Sequence, residues 1–227
     1  MRIRKWLSFL ALTLSSLLLV VSCQSQTLDI KNLNLGTGTQ IIVLGDSIAS
    51  GYGVAPEAAF PSVLSRQLGV PIVNQGVSGN TTAMGLNRLQ TDVIAGNPWL
   101  VIVELGGNDF LQKLPKPETE KNLREIVTSV QESGAIAVLL GIELGIYVDE
   151  YNELYERVAK DTKAYLIPQV TQGILDNPRY RQDDIIHPNQ AGHQLLATRI
   201  AQQLKPLLEK ATWPPPLLKF QDNIKKP

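Results

Sequence analysis

The strongest constraint on how this chain folds is a repeated change in the period of its hydrophobic residues. Ile41 to Leu44, Ile72 to Val73, Leu100 to Val103 and Ile136 to Leu140 are short apolar runs flanked by turn formers. They are rich in branched residues, as strands buried on both faces of a parallel sheet are. Elsewhere the period is helical. Leu123, Ile126, Val127 and Val130 fall at i, i+3, i+4, i+7, as do Tyr151, Leu154, Tyr155 and Val158. Leu196, Ile200, Leu204 and Leu207 line a last helix that starts near Asn189 and stops before Trp213-Pro214-Pro215-Pro216. Strand and helix in alternation predict an α/β fold, a central parallel sheet sandwiched between two helical layers. In such sheets chemistry gathers at the carboxyl ends of the strands.

The N-terminus obeys a different rule. Met1 to Lys5 carry three positive charges, and Trp6 to Ser22 then run uncharged for 17 residues. That is long enough for a signal h-region and short of the ~20 residues of a membrane span. Residues 1–22 are therefore expected to be an export signal outside the fold. The run ends in Val20-Val21-Ser22-Cys23, which is similar to a bacterial lipobox. The expectation is a lipid anchor on Cys23, with a cleaved signal and secretion, or a retained transmembrane anchor, as alternatives. Cys23 is the only cysteine, so no internal disulfide is possible. Residues 23–39 are polar and read as a tether, 40–210 as one catalytic domain, and 211–227 as a loose, proline-rich tail.

Charge excludes one class of partner. The full chain balances 21 basic against 21 acidic residues, and removing Arg2, Arg4 and Lys5 with the signal leaves about −3. With no basic stripe and no basic patch interleaved with aromatics, nothing recruits nucleic acid.

Two stretches carry chemistry. Gly45-Asp46-Ser47-Ile48 follows the first strand. A serine hydroxyl is a poor nucleophile unless a base removes its proton, so Ser47 means little by itself. Such a base is most simply a histidine, and the chain has two, His187 and His193. His193 lies within the last helix, where a packed or solvated histidine is the plain reading. His187 sits in the loop Asp184-Ile185-Ile186-His187-Pro188-Asn189, beside two carboxylates able to orient it, Asp183 and Asp184. With no cysteine nearby and no third histidine, a metal site is not expected.

Gly45-Asp46-Ser47, Gly79, Gly106-Gly107-Asn108-Asp109 and Asp184-x-x-His187 come in the order of the four blocks of the SGNH, or GDSL-type, hydrolases, which the chain resembles over about residues 40–208. Ile48 stands where that motif usually has leucine. Ser78-Gly79-Asn80-Thr81 and Val103 to Asp109 look most like the bacterial multifunctional acyl-esterases, with thioesterase, arylesterase and lysophospholipase activity. The resemblance implies a three-layer, flavodoxin-like sandwich and a serine esterase. In it Ser47 is the nucleophile, His187 the base and Asp184, rather than Asp183, its orienter. It implies an oxyanion hole from the amides of Ser47 and Gly79 and the side chain of Asn108, where preset donors stabilise developing charge. It also implies an acyl-binding loop at Phe110 and Leu111, residues that ordinary packing explains equally well. Gly76 reads as a tight turn, and Asp46 and Asp109 as loop braces.

The implied substrate is a small or lipid-like ester or thioester, cleaved without a cofactor. An O-acetyl deacetylase on carbohydrate or cell wall is the second enzymatic reading, and a lipid-anchored binding lipoprotein a third. The expected location is a periplasmic or cell-surface membrane, and the expected state a monomer. A Gly-x-Ser-x-Gly elbow, the mark of another serine hydrolase fold, is absent from the sequence.

Overall fold

The computed structural model describes residues 28–143 and 148–225, with the side chains of 148–150 left aside. The signal segment and Cys23 lie outside these residues.

Five strands form one parallel sheet: β1 (Gln40–Gly45), β2 (Ile72–Gly76), β3 (Pro98–Glu104), β4 (Ile136–Leu140) and β5 (Tyr165–Ile167), in the order β2-β1-β3-β4-β5. The three-residue β5 is too short to show a period, so it escapes the sequence reading. Alternation along each strand splits the core in two. Ile41, Val43, Leu100, Ile102, Ile136, Val138 and Leu140 face one helical layer, while Ile42, Leu44, Val101, Val103, Ala137 and Leu139 face the other.

The first layer is α2 (Phe60–Leu68) against α7 (Gln190–Lys210), and the second is α3 (Thr82–Asp92), α5 (Lys116–Glu132) and α6 (Val148–Thr162). The periodic residues named above on α5, α6 and α7 are all buried. Each aliphatic side chain taken fully out of water contributes about 1.5–3 kcal/mol before chain entropy is subtracted. Two further helices are short, α1 (Ser47–Ser50) and α4 (Gly107–Leu111), and both follow strands at their carboxyl ends. Strand order reverses between β1 and β3, and a crevice opens there.

Two expectations about the chain ends need correcting. Residues 28–39 are not free tether. Lys31 N–H donates to Lys163 O at 3.0 Å, Asn32 Nδ2 to Gln131 O and Ala135 O at 2.7 and 2.8 Å, and Thr39 N–H to Asn97 O at 2.8 Å. These contacts lie beside the amino ends of β5, β4 and β3, and Leu33 enters the core. Nor is the segment from 211 a loose tail. A 3₁₀ turn (Pro215–Phe220) and α8 (Gln221–Ile224) carry Leu217 and Ile224 into the first core, and Trp213 packs on Trp99 with ring centroids 4.5 Å apart. The prolines that end α7 also pre-set the backbone, which lowers the entropy lost when the three apolar side chains dock. The two ends are tied together, Thr212 N–H donating to Leu33 O at 2.9 Å.

Candidate active site

The turn that carries Ser47 is built by close approach. Asp46 caps α1, its Oδ1 accepting from Ile48 N–H at 3.0 Å, so Ser47 becomes the first helical residue at the end of β1. Asn74 Nδ2 donates to Ala49 O at 2.7 Å and pins β2 against this turn. A Cβ at Gly76 would overlap the backbone of Ala49 and Ser50, so this glycine is what lets the end of β2 meet the serine turn. Gly76 is therefore a point of close approach rather than only a tight turn.

His187 arrives on a loop held at several points. Gln182 N–H donates to His187 O at 2.8 Å, and its Nε2 donates to Tyr52 O at 2.8 Å and Pro188 O at 2.9 Å, binding the histidine loop to the serine turn. Asn189 caps α7 by accepting from Gly192 N–H at 3.0 Å. The His187 Nε2 atom lies 2.9 Å from Ser47 Oγ, and its Nδ1 lies 2.6 Å from Asp184 Oδ2. The partner of the ring is Asp184 and not Asp183. The other oxygen of Asp184 accepts the amides of Ile186 and His187, each at 3.1 Å. Burial pushes the Asp184 carboxyl up, but the His187 ring and these two amides outweigh it and hold the group below its ordinary value. With Nδ1–H given to Asp184, Nε2 keeps its lone pair for the Ser47 hydroxyl. Tyr52, which the sequence did not single out, lays its ring on the imidazole at 4.6 Å between centroids.

His193 is elsewhere. It is fully buried, its Nδ1 accepts Phe60 N–H at 3.3 Å, and burial, then the nearby charge of His187, push it down to about 4. It is a neutral core residue.

Ser47 and His187 line a cleft of about 220 Å³, shared with Gly79, Asn108 and Leu111. Gly79 adopts φ 81°, a left-handed conformation. A Cβ there would meet nothing within 4 Å, so the glycine is required by its backbone angle and not by crowding. Among the described residues, neither Ser47 N–H nor Gly79 N–H has an acceptor. Asn108 is differently placed from expectation. Its Nδ2 already donates to Asp46 Oδ2 and to Asn80 O, both at 3.0 Å, so a substrate oxygen must share one of those hydrogens.

The acyl-loop pair divides. Leu111 is 44% exposed and lines the cleft, whereas Phe110 turns into the second core, edge-on to Tyr151 at 5.3 Å. Successive residues of a helix point about 100° apart, so α4 cannot aim both at one cleft.

Two supporting residues, Glu104 and Arg88, carry no sequence signal. Glu104, at the end of β3, is 1% exposed, and its Oε2 accepts Asp46 N–H and Ala49 N–H, each at 3.2 Å. Arg88 on α3 donates to Asn80 Oδ1 at 2.7 Å, to Gln75 O at 2.8 Å and to Gly45 O at 3.0 Å, cross-bracing the ends of β1 and β2. Asp109 accepts from Thr82 N–H at 2.8 Å and from Thr119 Oγ1 at 3.2 Å, a brace as expected. No cluster of three or more metal-ligating side chains occurs among the described residues.

Residues 43–195 match the model of the GDSL-like Lipase/Acylhydrolase family. The chain is 36% identical over 175 residues to the thioesterase 1/protease 1/lysophospholipase L1 of Escherichia coli K12, covering 74% of this chain and 84% of that protein. It is 31% identical to an arylesterase of Vibrio mimicus, covering 73% and 88%. The crystal structure of TesA superposes with a TM-score of 0.71 at 32% identity, over 74% of this chain and 99% of that one.

Proposed function

The chain belongs to the GDSL-like lipase/acylhydrolase family and is a carboxylic-ester hydrolase; we propose that Ser47, His187 and Asp184 are its catalytic residues, working through an acyl-serine. One observation carries the assignment: the unbroken run from Asp184 through the His187 ring to Ser47 Oγ, at 2.6 and 2.9 Å, on the wall of the cleft.

His187 Nε2 takes the Ser47 proton as Oγ bonds to the acyl carbon, and the carbonyl electrons move onto oxygen. The amides of Ser47 and Gly79 receive that oxyanion, with Asn108 as a shared third donor. Collapse expels the alcohol or thiol, which takes the proton back from His187. Water, deprotonated by the same ring, then bonds to the acyl carbon, and the acid leaves as the bond to Ser47 breaks and Oγ takes the proton back from His187. The test is a fluorophosphonate, expected to label the wild type and not Ser47→Ala. Equal labelling of both would remove Ser47 from this role.

The substrate in this reading is an acyl ester or thioester with an apolar acyl group, supported by Leu111 at the cleft and by the activities in the relatives' names. A second reading, removal of O-acetyl groups from carbohydrate or cell wall, uses the same three residues on a shorter acyl group. Rates on p-nitrophenyl esters from acetate to palmitate separate the two, since a deacetylase stops at acetate. For location, the basic leader, the uncharged run and Val20-Val21-Ser22-Cys23 support export and acylation of Cys23. The protein is then a membrane-anchored lipoprotein. Cleavage without acylation, giving a secreted soluble enzyme, is the alternative.

A further inference from the structure

Beneath the serine turn lie two buried acids that the reaction itself does not use. Asp46 is 2% exposed, with Oδ1 on Ile48 N–H and Oδ2 on Asn108 Nδ2. Glu104 spends Oε2 on the amides of Asp46 and Ala49, but its Oε1 is buried with no donor facing it. An ionised carboxylate with one oxygen bare in a dry site is costly, and a second carboxylate beside it adds repulsion. Glu104 Oε2 would lie only 2.6 Å from a Cβ at position 45, so the glycine that ends β1 makes room for this carboxyl.

We propose that Glu104 stands protonated at neutral pH and donates Oε1–H to the Asp46 carboxylate, the pair acting as a positioning device for the Asn108 amide and the first turn of α1. This rests on the esterase reading above. A shared proton satisfies Glu104 Oε1 and leaves Asp46 as the negative partner. That partner orients the Asn108 amide at the cleft wall. Glu104 is thus a positioning residue, acting on the oxyanion through Asp46 and Asn108.

The surrounding electrostatics agree. Burial raises both acids, Asp46 to about 6 and Glu104 well above its ordinary value, where the charge of Asp46 adds to the rise. His187, from the loop before α7, pulls Asp46 down. From α6 the Tyr155 hydroxyl donates to Leu105 O at 2.8 Å, and burial keeps it neutral. Asp109 is the remaining acid beside Tyr155. Near neutrality the proton therefore rests on Glu104 and the charge on Asp46. Both folded values lie above the unfolded ones, so the stabilisation they provide is complete below pH 3.8 and is lost as pH rises, first through about 6. Glu104→Gln removes the part of that loss at higher pH.

The full chain is tested as wild type, Glu104→Gln and Glu104→Ala on p-nitrophenyl butyrate. The glutamine oxygen can take the two amides and its NH₂ can donate to Asp46, so it mimics the protonated acid. Alanine leaves Asp46 without a donor. Glu104→Ala is expected to lose kcat by about 10²-fold, the scale of an impaired oxyanion donor, with little change in KM. Glu104→Gln should run at least about tenfold faster than Glu104→Ala. Infrared spectra at neutral pH should show the carbonyl band of a buried protonated carboxylic acid in the wild type that vanishes in Glu104→Gln. Equal losses in the two variants, an unimpaired Glu104→Ala, or no such band would each overturn the proposal. The infrared reading needs no turnover, so it holds if Glu104→Ala does not fold. It also separates failure here from failure of Ser47 to be labelled.

Discussion

Ile185 occupies φ 64°, the left-handed region, and is 59% exposed. For a β-branched residue that backbone costs about 1–2 kcal/mol, and an exposed side chain recovers almost none of it by burial. Asparagine tolerates the same angle and suits solvent. Ile185→Asn is expected to raise the melting temperature by roughly 2–4 °C, read by calorimetry. No rise would mean that the side chain makes contacts worth as much as the strain. At this scale the sequence is uneven as a guide. Ser47 and His187 are legible because a nucleophile needs a base and only two histidines exist. Choosing Asp184 over Asp183 needs the family spacing, since adjacent carboxylates reach the same ring until the loop is closed by Gln182. Glu104 is illegible, because an acid at a strand end looks solvated until the strand is buried on both sides. Asn108 is legible as a donor but not in its prior engagement with Asp46 and Asn80.

Elements follow the same logic. The long amphipathic helices α5, α6 and α7 announce themselves by period, and β1, β3 and β4 by branched runs. The three residues of β5 are too few to define a period. The segment after α7 is the clearest lesson. Three consecutive prolines at 214–216 exclude regular helix and strand, yet they leave Trp213, Leu217 and Ile224 free to dock as a strap. Trp213 packs on Trp99 and donates Nε1–H to Leu208 O at 2.8 Å. Trp213→Ala should therefore cost about 3–5 kcal/mol of stability, measured by urea denaturation. A loss below about 1 kcal/mol would return the segment to the status of a loose tail.

On the scale of the whole molecule, acylation of Cys23 predicts that the precursor accumulates in cells treated with globomycin and that Cys23→Ser protein leaves the membrane fraction. Unchanged processing in both would favour simple secretion. The folded domain extends beyond residues 40–210, because the residues at 28–39 and 211–225 complete its first core and clasp each other. That clasp sits by the amino ends of the strands, whereas Ser47 and its cleft lie past the carboxyl ends, about 23 Å away along the seven residues of β3. Only five residue steps separate Cys23 from Leu28, a reach of at most ~18 Å. A lipid on Cys23 would therefore join the domain on the side away from its mouth, leaving the cleft open to substrates that arrive through the aqueous layer.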